Sequence, residues 1–325
     1  MPPRLPDFKK MFGYGGFVNL EHRDCGACML KDDGTFFRKV ESNCYHHEPR
    51  LDYCDEHNIG LQVLSTIPVL FSYWAKPRDG LKVAQVINDH LVATVAQSPD
   101  RFLALGTLPM QDPDLAIDEL RRCKQELGLS GVEIGSHINE WNLNAPEVVA
   151  VLTACADLGM SVFVHPWDMM GQSRMKDYWL PWLVGMPAES SLAICSLIFG
   201  GVLEKLPHLR IAIAHGGGSF PATLGRIEHG FQVRPDLCAI DNPKSPRDYL
   251  DRFFVDSLVH DKKALEFLIA TMGEDQICLG TDYPFPLGEL EAGKLIRNMP
   301  ELGKSTQRKL LFENAERWLG LKRTN

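Results

Sequence analysis

Short apolar runs alternating with helical stretches, from about residue 60 to residue 282, leave this chain few folds to choose from. Strand patterns cover Leu61–Ile67, Phe102–Leu108, Gly131–Gly135, Met160–His165, Leu209–His215, Phe253–Ser257 and Gln276–Asp282. Helical patterns lie between them, at roughly 81–97, 113–127, 145–158, 187–204, 219–231 and 262–272. Apolar strands separated by helices form a parallel sheet with both faces covered, because parallel neighbours need a crossover rather than a hairpin. Asp112 precedes Pro113 and the apolar spacing of the second helical stretch, as an N-cap should. The strand count is seven, one short of the eight in a closed (β/α)8 barrel. The expected fold is therefore an α/β barrel of the TIM type with its first strand missing.

Residues 1–58 follow another pattern. Phe12–Val18 and Gly34–Val40 read as short strands with turn residues between them, a small antiparallel flap inserted near the barrel mouth. The expected organisation is one domain over 1–325, with 1–58 as the flap region and 59–325 as the barrel. Asp241–Pro246 reads as a loop, and Gln307–Leu319 as a helix with Leu310, Leu311, Ala315 and Trp318 on one face.

A net charge of −8 and a pI near 5.8 argue against nucleic acid as a partner, which requires a basic surface. An anionic small molecule is still admissible, since a local arginine pair can oppose the global sign. The nine cysteines are scattered, and Cys123, Cys155, Cys195, Cys238 and Cys278 sit in apolar patterns. Reduced, buried thiols in a cytosolic protein are expected. Met1–Pro6 lacks the apolar core of a signal peptide, and the most apolar stretch, Leu192–Leu203, is too short to span a bilayer. Cytoplasmic localisation without a membrane partner is expected.

Three of the apolar runs close on a residue that can do chemistry: His165, His215 and Asp282. On a parallel barrel the carboxyl ends of the strands gather on one rim, and that rim carries the active site. Two imidazoles and a carboxylate there point to metal-assisted or acid–base catalysis. His165, followed by Pro166, reads as a zinc ligand or as a loop histidine held by a hydrogen bond. His215 precedes Gly216, Gly217, Gly218 and a new helix, and suits a general base or acid. That glycine spacing is neither a P-loop nor a Rossmann turn. Asp282 reads as a metal ligand and proton relay, or as a helix cap, the latter weakened by Pro284 and Pro286. Arg38 and Arg226 could grip carboxylates in bidentate forks, or be solvated surface charges. Trp167, Trp179 and Trp182 read as core or pocket wall. Cys25, Cys28, Cys44, His46 and His47 are candidates for a structural zinc site, but their spacing matches no standard pattern.

Several longer strings carry a resemblance. His165-Pro166-Trp167-Asp168-Met169-Met170, the run from Trp179 to Glu189, Ala214-His215-Gly216-Gly217-Gly218, and the run from Gly280 to Glu289 are of this kind. The chain resembles the 2-amino-3-carboxymuconate-6-semialdehyde decarboxylase family of the amidohydrolase superfamily, from about Pro6 to Leu319. The resemblance implies a (β/α)8 barrel with a small insertion, a homodimer, and zinc-dependent, non-oxidative decarboxylation. The implied reaction converts 2-amino-3-carboxymuconate 6-semialdehyde to 2-aminomuconate 6-semialdehyde, diverting tryptophan catabolism on the kynurenine route away from quinolinate. Implied zinc ligands are a His-x-His pair on the first strand, His165 and Asp282. His215 is the implied catalytic base acting on metal-activated water, assisted by Asp282. Arg38 and, from the neighbouring subunit, Arg226 are the implied grips on a dicarboxylate substrate, with Lys31 on the flap and Trp167 in the pocket. No His-x-His occurs in this sequence, and Met1 falls just ahead of the segment that follows it in the family. Two ligands are thus expected to be absent. A catalytically impaired isoform that dimerises with and modulates a full-length decarboxylase is the alternative reading, and a related hydratase or hydrolase a third.

Overall fold

The computed structural model describes residues 1–23 and 26–321. The chain forms two compact units, Met1–Glu133 and Ile134–Asn325.

The first unit opens on α1 (Phe8–Phe12), where a strand was expected to begin at Phe12. Asp7 caps this helix by accepting the Lys10 N–H at 2.9 Å, and Gly13, at φ 78°, ends it. A capped turn thus takes Phe12 out of the strand pattern. The flap is a three-stranded antiparallel sheet of β1 (Val18–Arg23), β2 (Gly26–Lys31) and β3 (Phe36–Val40). Of the expected strands, Gly34–Val40 corresponds to β3, while β1 and β2 were not foreseen. Met29 pairs with Arg38 and Leu30 with Phe36, so Phe37 is an extra residue that bends β3.

After α2 (Glu48–Glu56) come β4 (Gln62–Leu64), α3 (Pro77–Gln97), β5 (Phe102–Thr107), α4 (Pro113–Gln125) and β6 (Gly131–Gly135). Val83, Ala84, Ile87 and Leu91 make the buried stripe of α3, at the spacing a helix requires. Asn88 lies among them and is fully satisfied. Its amide donates to the Thr107 carbonyl at 2.9 Å and to Glu119 at 2.7 Å, while its oxygen accepts the Thr107 N–H at 2.8 Å. Asp112 caps α4 as its sequence position requires, accepting the Leu115 N–H at 3.1 Å.

The second unit carries a short hairpin, β7 (His137–Ile138) and β8 (Trp141–Asn142), then α5 (Pro146–Asp157) and β9 (Ser161–His165). There follow α6 (Met186–Phe199), α7 (Val202–Lys205), β10 (Ile211–Ile213), α8 (Phe220–Val233), α9 (Pro235–Cys238) and β11 (Phe254–Asp256). The chain ends with α10 (Lys262–Met272), β12 (Ile277–Cys278), α11 (Lys294–Arg297), α12 (Gly303–Arg308) and α13 (Asn314–Leu319).

The parallel strands follow one order, β12-β11-β10-β9-β6-β5-β4, which is the seven-strand α/β sheet of TIM-barrel type counted from the sequence. Val162, Val164, Ile211, Ile213, Val255 and Ile277 are buried to within 1% of full exclusion from water. Each such side chain stabilises the core by about 1.5–3 kcal/mol. The expected helix 187–204 is broken at Gly200-Gly201, where Gly201 takes φ 67°. A continuous helical run, Pro181–Phe199, is long and apolar enough by length and composition to cross a membrane, longer than the apolar stretch read from sequence. Within it Glu189 and Ser190 are buried, while Leu183 and Val184 are exposed.

Candidate active site

The strands bearing the candidate residues are shorter than their apolar runs. Ile211–Ile213 and Ile277–Cys278 leave the ladder before His215 and Asp282, which take φ values of 58° and 52°. Non-glycine residues rarely adopt this region, and such strain concentrates at functional sites. Gly216, Gly217 and Gly218 continue the positive φ, at 62°, 74° and 64°. Glycine is required here: a Cβ at 216 would lie 2.6 Å from Val259 Cγ1, and one at 218 would lie 2.3 Å from the Pro187 carbonyl oxygen.

A buried carboxylate holds this turn. Asp256, the last residue of β11, accepts the His215 N–H at 2.8 Å, the Gly216 N–H at 2.8 Å and the Leu258 N–H at 3.0 Å. On the next strand, Asp282 follows Gly280, and the turn beyond is closed by Phe285 N–H to Asp282 O at 2.9 Å and Glu289 N–H to Thr281 O at 2.8 Å. His165 ends β9 and is buried. Its Nδ1 bonds the Pro166 carbonyl at 2.8 Å, which requires the proton on Nδ1 and leaves Nε2 as the lone-pair donor.

His165, His215 and Asp282 converge: one ligand atom from each lies within 4.8 Å of the others. The two imidazoles meet edge to face, with centroids 4.9 Å apart and planes at 85°. Burial, and secondarily the charge of His260, push the His215 imidazole down to about 4, so the ring is neutral at physiological pH. Burial raises the Asp256 carboxyl, opposed by its three backbone donors and by His165. An imidazole nitrogen of His165 and the carboxylate of Asp282 are donors suited to a divalent cation with nitrogen and oxygen ligands, with the neutral His215 ring beside them. Among the described residues, no other histidine, cysteine or acidic cluster of this kind occurs.

The loop after His165 is held by a clasp. Trp167 donates its indole N–H to the His137 carbonyl at 2.7 Å, and its ring stacks on the His137 imidazole at 5.5 Å. Glu189, buried in α6, accepts the Met170 N–H at 2.6 Å, and burial raises its pKa. The other sequence candidates lie elsewhere in their units. Lys31 is exposed at the end of β2, and Arg38 lies on β3 opposite Met29. Arg226 is exposed on α8, where no acid of the described chain pairs with it. Trp179 and Trp182 pack on each other at 5.8 Å, and Trp179 is 42% exposed. Of the weighed zinc set, Cys25 lies outside the described residues, Cys28 and Cys44 are buried, and His47 pairs with Glu48 at 3.3 Å.

Sequence reasoning missed Asp256, Glu189 and His137. A signal for Asp256 was present, since Phe253-Phe254-Val255-Asp256 is another apolar run ending in a carboxylate.

A parallel α/β sheet with histidines and an aspartate at its rim defines a class, and the amidohydrolase family profile matches residues 41–321. The chain belongs to the amidohydrolase family. Within it the chain stands with the decarboxylases: it is 53% identical over 321 residues to the 2-amino-3-carboxymuconate-6-semialdehyde decarboxylase of Dictyostelium discoideum, covering 99% of this chain and 89% of the relative. The decarboxylase of the same name from Caenorhabditis elegans is 40% identical, with 99% and 92% covered. Among solved structures, the 5-carboxyvanillate decarboxylase of Novosphingobium aromaticivorans, in complex with manganese and 4-hydroxy-3-methoxy-5-nitrobenzoic acid, is 26% identical. Its TM-score is 0.76, with 84% of this chain and 80% of that chain covered.

Proposed function

We propose that this chain catalyses metal-dependent, non-oxidative decarboxylation of 2-amino-3-carboxymuconate 6-semialdehyde to 2-aminomuconate 6-semialdehyde. The step lies in tryptophan catabolism on the kynurenine route, in the cytosol, where it limits quinolinate formation. The observation that carries the reading is the convergence of His165, His215 and Asp282 within 4.8 Å, in a chain 53% identical to a decarboxylase of that name.

His165 and Asp282 would hold a divalent cation, zinc in this reading, which supplies Lewis-acid stabilisation of negative charge when bound. His215, neutral beside it, moves the proton. The bond between the ring-forming carbon chain and its carboxylate breaks, carbon dioxide leaves, and that carbon takes up one proton, so the reaction consumes no oxidant. His215 can take a proton from water and return it to carbon, and Asp282 can accept a hydrogen bond from the same water. Arg38 and Lys31 are the cations proposed to hold the substrate's carboxylates.

The test is direct. Purified chain, stripped of metal and then titrated with zinc or manganese, is expected to regain loss of the substrate's absorbance together with equimolar carbon dioxide. Added metal at about 100 times its Kd should also stabilise the fold by about 2.7 kcal/mol. Metal uptake without turnover would refute the decarboxylase assignment.

A homodimer is part of the proposal, with Arg226 of the partner subunit reaching the site. Arg226 and Val233 are seven residues apart and share one face of α8. Val233, Leu237 and Ile240, at 54%, 57% and 72% exposure, are exposed apolar side chains that follow it in the chain. Sedimentation is expected to show a dimer for the parent chain and a monomer for Val233→Asp. A parent chain that sediments as a monomer at assay concentration would remove Arg226 from the mechanism.

A further inference from the structure

We infer that Asp256 is the positioning residue for His215, setting the direction of the imidazole through the backbone that carries it. The inference rests on the reading of His215 as the proton-moving group. Asp256 makes no bond to the His215 ring. It takes the backbone N–H groups of His215 and Gly216 on its two oxygens, each at 2.8 Å, and adds the Leu258 N–H at 3.0 Å. Consecutive N–H groups can converge on one anion where the backbone curls into a turn, forming a nest. His215 and Gly216 have that geometry, at φ 58° and 62°. A positive φ is uncommon for a residue with a side chain. The carboxylate is what makes it the stable arrangement, and with it the imidazole is carried to the rim beside His165.

The same carboxylate reaches the third strand of the site. A Cβ at Gly280, two residues before Asp282, would lie 2.5 Å from Asp256 Cβ and 2.8 Å from its Cγ. Asp256 therefore fits against the segments bearing two of the three site residues, and it is buried, at 7% exposure. An acid buried at this cost, with every bond directed to backbone next to the reacting group, is a tuning device for orientation.

The substitutions Asp256→Asn and Gly280→Ala test this. Asparagine keeps the shape but points an N–H₂ at one of the backbone donors. Alanine at 280 leaves the acid in place and pushes it. Each variant, counted per folded and manganese-loaded molecule, is expected to lose kcat, by about 100-fold for Asp256→Asn. For Asp256→Asn, KM and manganese affinity should stay within about threefold of the parent, because its three bonds go to the turn carrying the proton-moving group. In the metal-free protein, the amide proton signals of His215 and Gly216 are expected at low field in the parent, from their carboxylate acceptor, and upfield of that in Asp256→Asn. A full kcat per loaded molecule would overturn the inference, as would a loss lying entirely in metal affinity. If Asp256→Asn does not fold, Gly280→Ala decides by kcat per metal-loaded molecule and by the amide signals. If the parent itself shows no decarboxylation, the proposed function has failed, and the amide signals alone decide the inference: unchanged signals overturn it.

Discussion

Replacing His215 with asparagine is expected to lower kcat for decarboxylation by about 10²–10⁴-fold, the range that a positioned acid–base group contributes. Asparagine keeps a polar side chain at a position of positive φ, so the turn at 58° is retained. Manganese should still bind, since His165 and Asp282 remain. Stopped-flow absorbance and metal titration on the same preparation separate the two effects, and a variant retaining more than a tenth of the parent kcat would remove His215 from the chemistry. The same residue sets a pH dependence in the metal-free protein. Its folded pKa is lowered to about 4 by burial, against about 6.5 in the unfolded chain. Above pH 6.5 neither state holds the proton and nothing is gained or lost. As pH falls from about 6.5 toward 4, the unfolded state takes up a proton that the folded site refuses, so stability declines through that window by up to about 3 kcal/mol. Urea unfolding in chelator at pH 7 and pH 4.5 is expected to show a smaller decline for His215→Asn than for the parent.

The second large effect is structural. Gly218→Ala is expected to destabilise the fold by about 4 kcal/mol or more, among the severe values for single substitutions. Gly218 takes φ 64° and ψ −133°, and a methyl there would meet the Pro187 carbonyl oxygen at 2.3 Å and Ser190 Cβ at 2.7 Å. The oxygen belongs to the backbone of α6, so it cannot rotate aside. Gly225, in α8, provides the control: its Cβ would meet nothing within 4 Å. Gly225→Ala should stabilise the helix by about 0.5–1 kcal/mol. Equal urea midpoints for the two variants would contradict the account of the glycine turn.

Much of this was legible in the sequence because the relevant signals are local. Apolar runs ending in His165, His215 and Asp282 gave the strands and the residues that now lie together, and the Asp112 cap stands where its residue type required. What was hidden depends on contacts across strands. Asp256 was passed over because an acid after Val255 looks like any strand end, and only its three backbone donors reveal a function. The flap was read with one strand misplaced, since the Asp7 cap and Gly13 make Phe8–Phe12 helical while the β1–β2 pairing depends on partners outside each strand. Trp167 reads from its residue type as core or pocket wall. Its indole also fastens the loop to His137, a non-local bond that composition cannot show.

The cysteines carry a practical consequence. Cys28, Cys44, Cys54, Cys123, Cys155 and Cys278 are free and buried, Cys195 and Cys238 are half-buried, and burial pushes the Cys195 thiol up to about 11 and that of Cys155 up to about 12. Alkylating reagents react with thiolate, so the interior sulfurs stay silent while the chain is closed and are modified when it opens. A maleimide dye thereby becomes a clock for unfolding, readable in the same cuvette as turnover and without any engineered label.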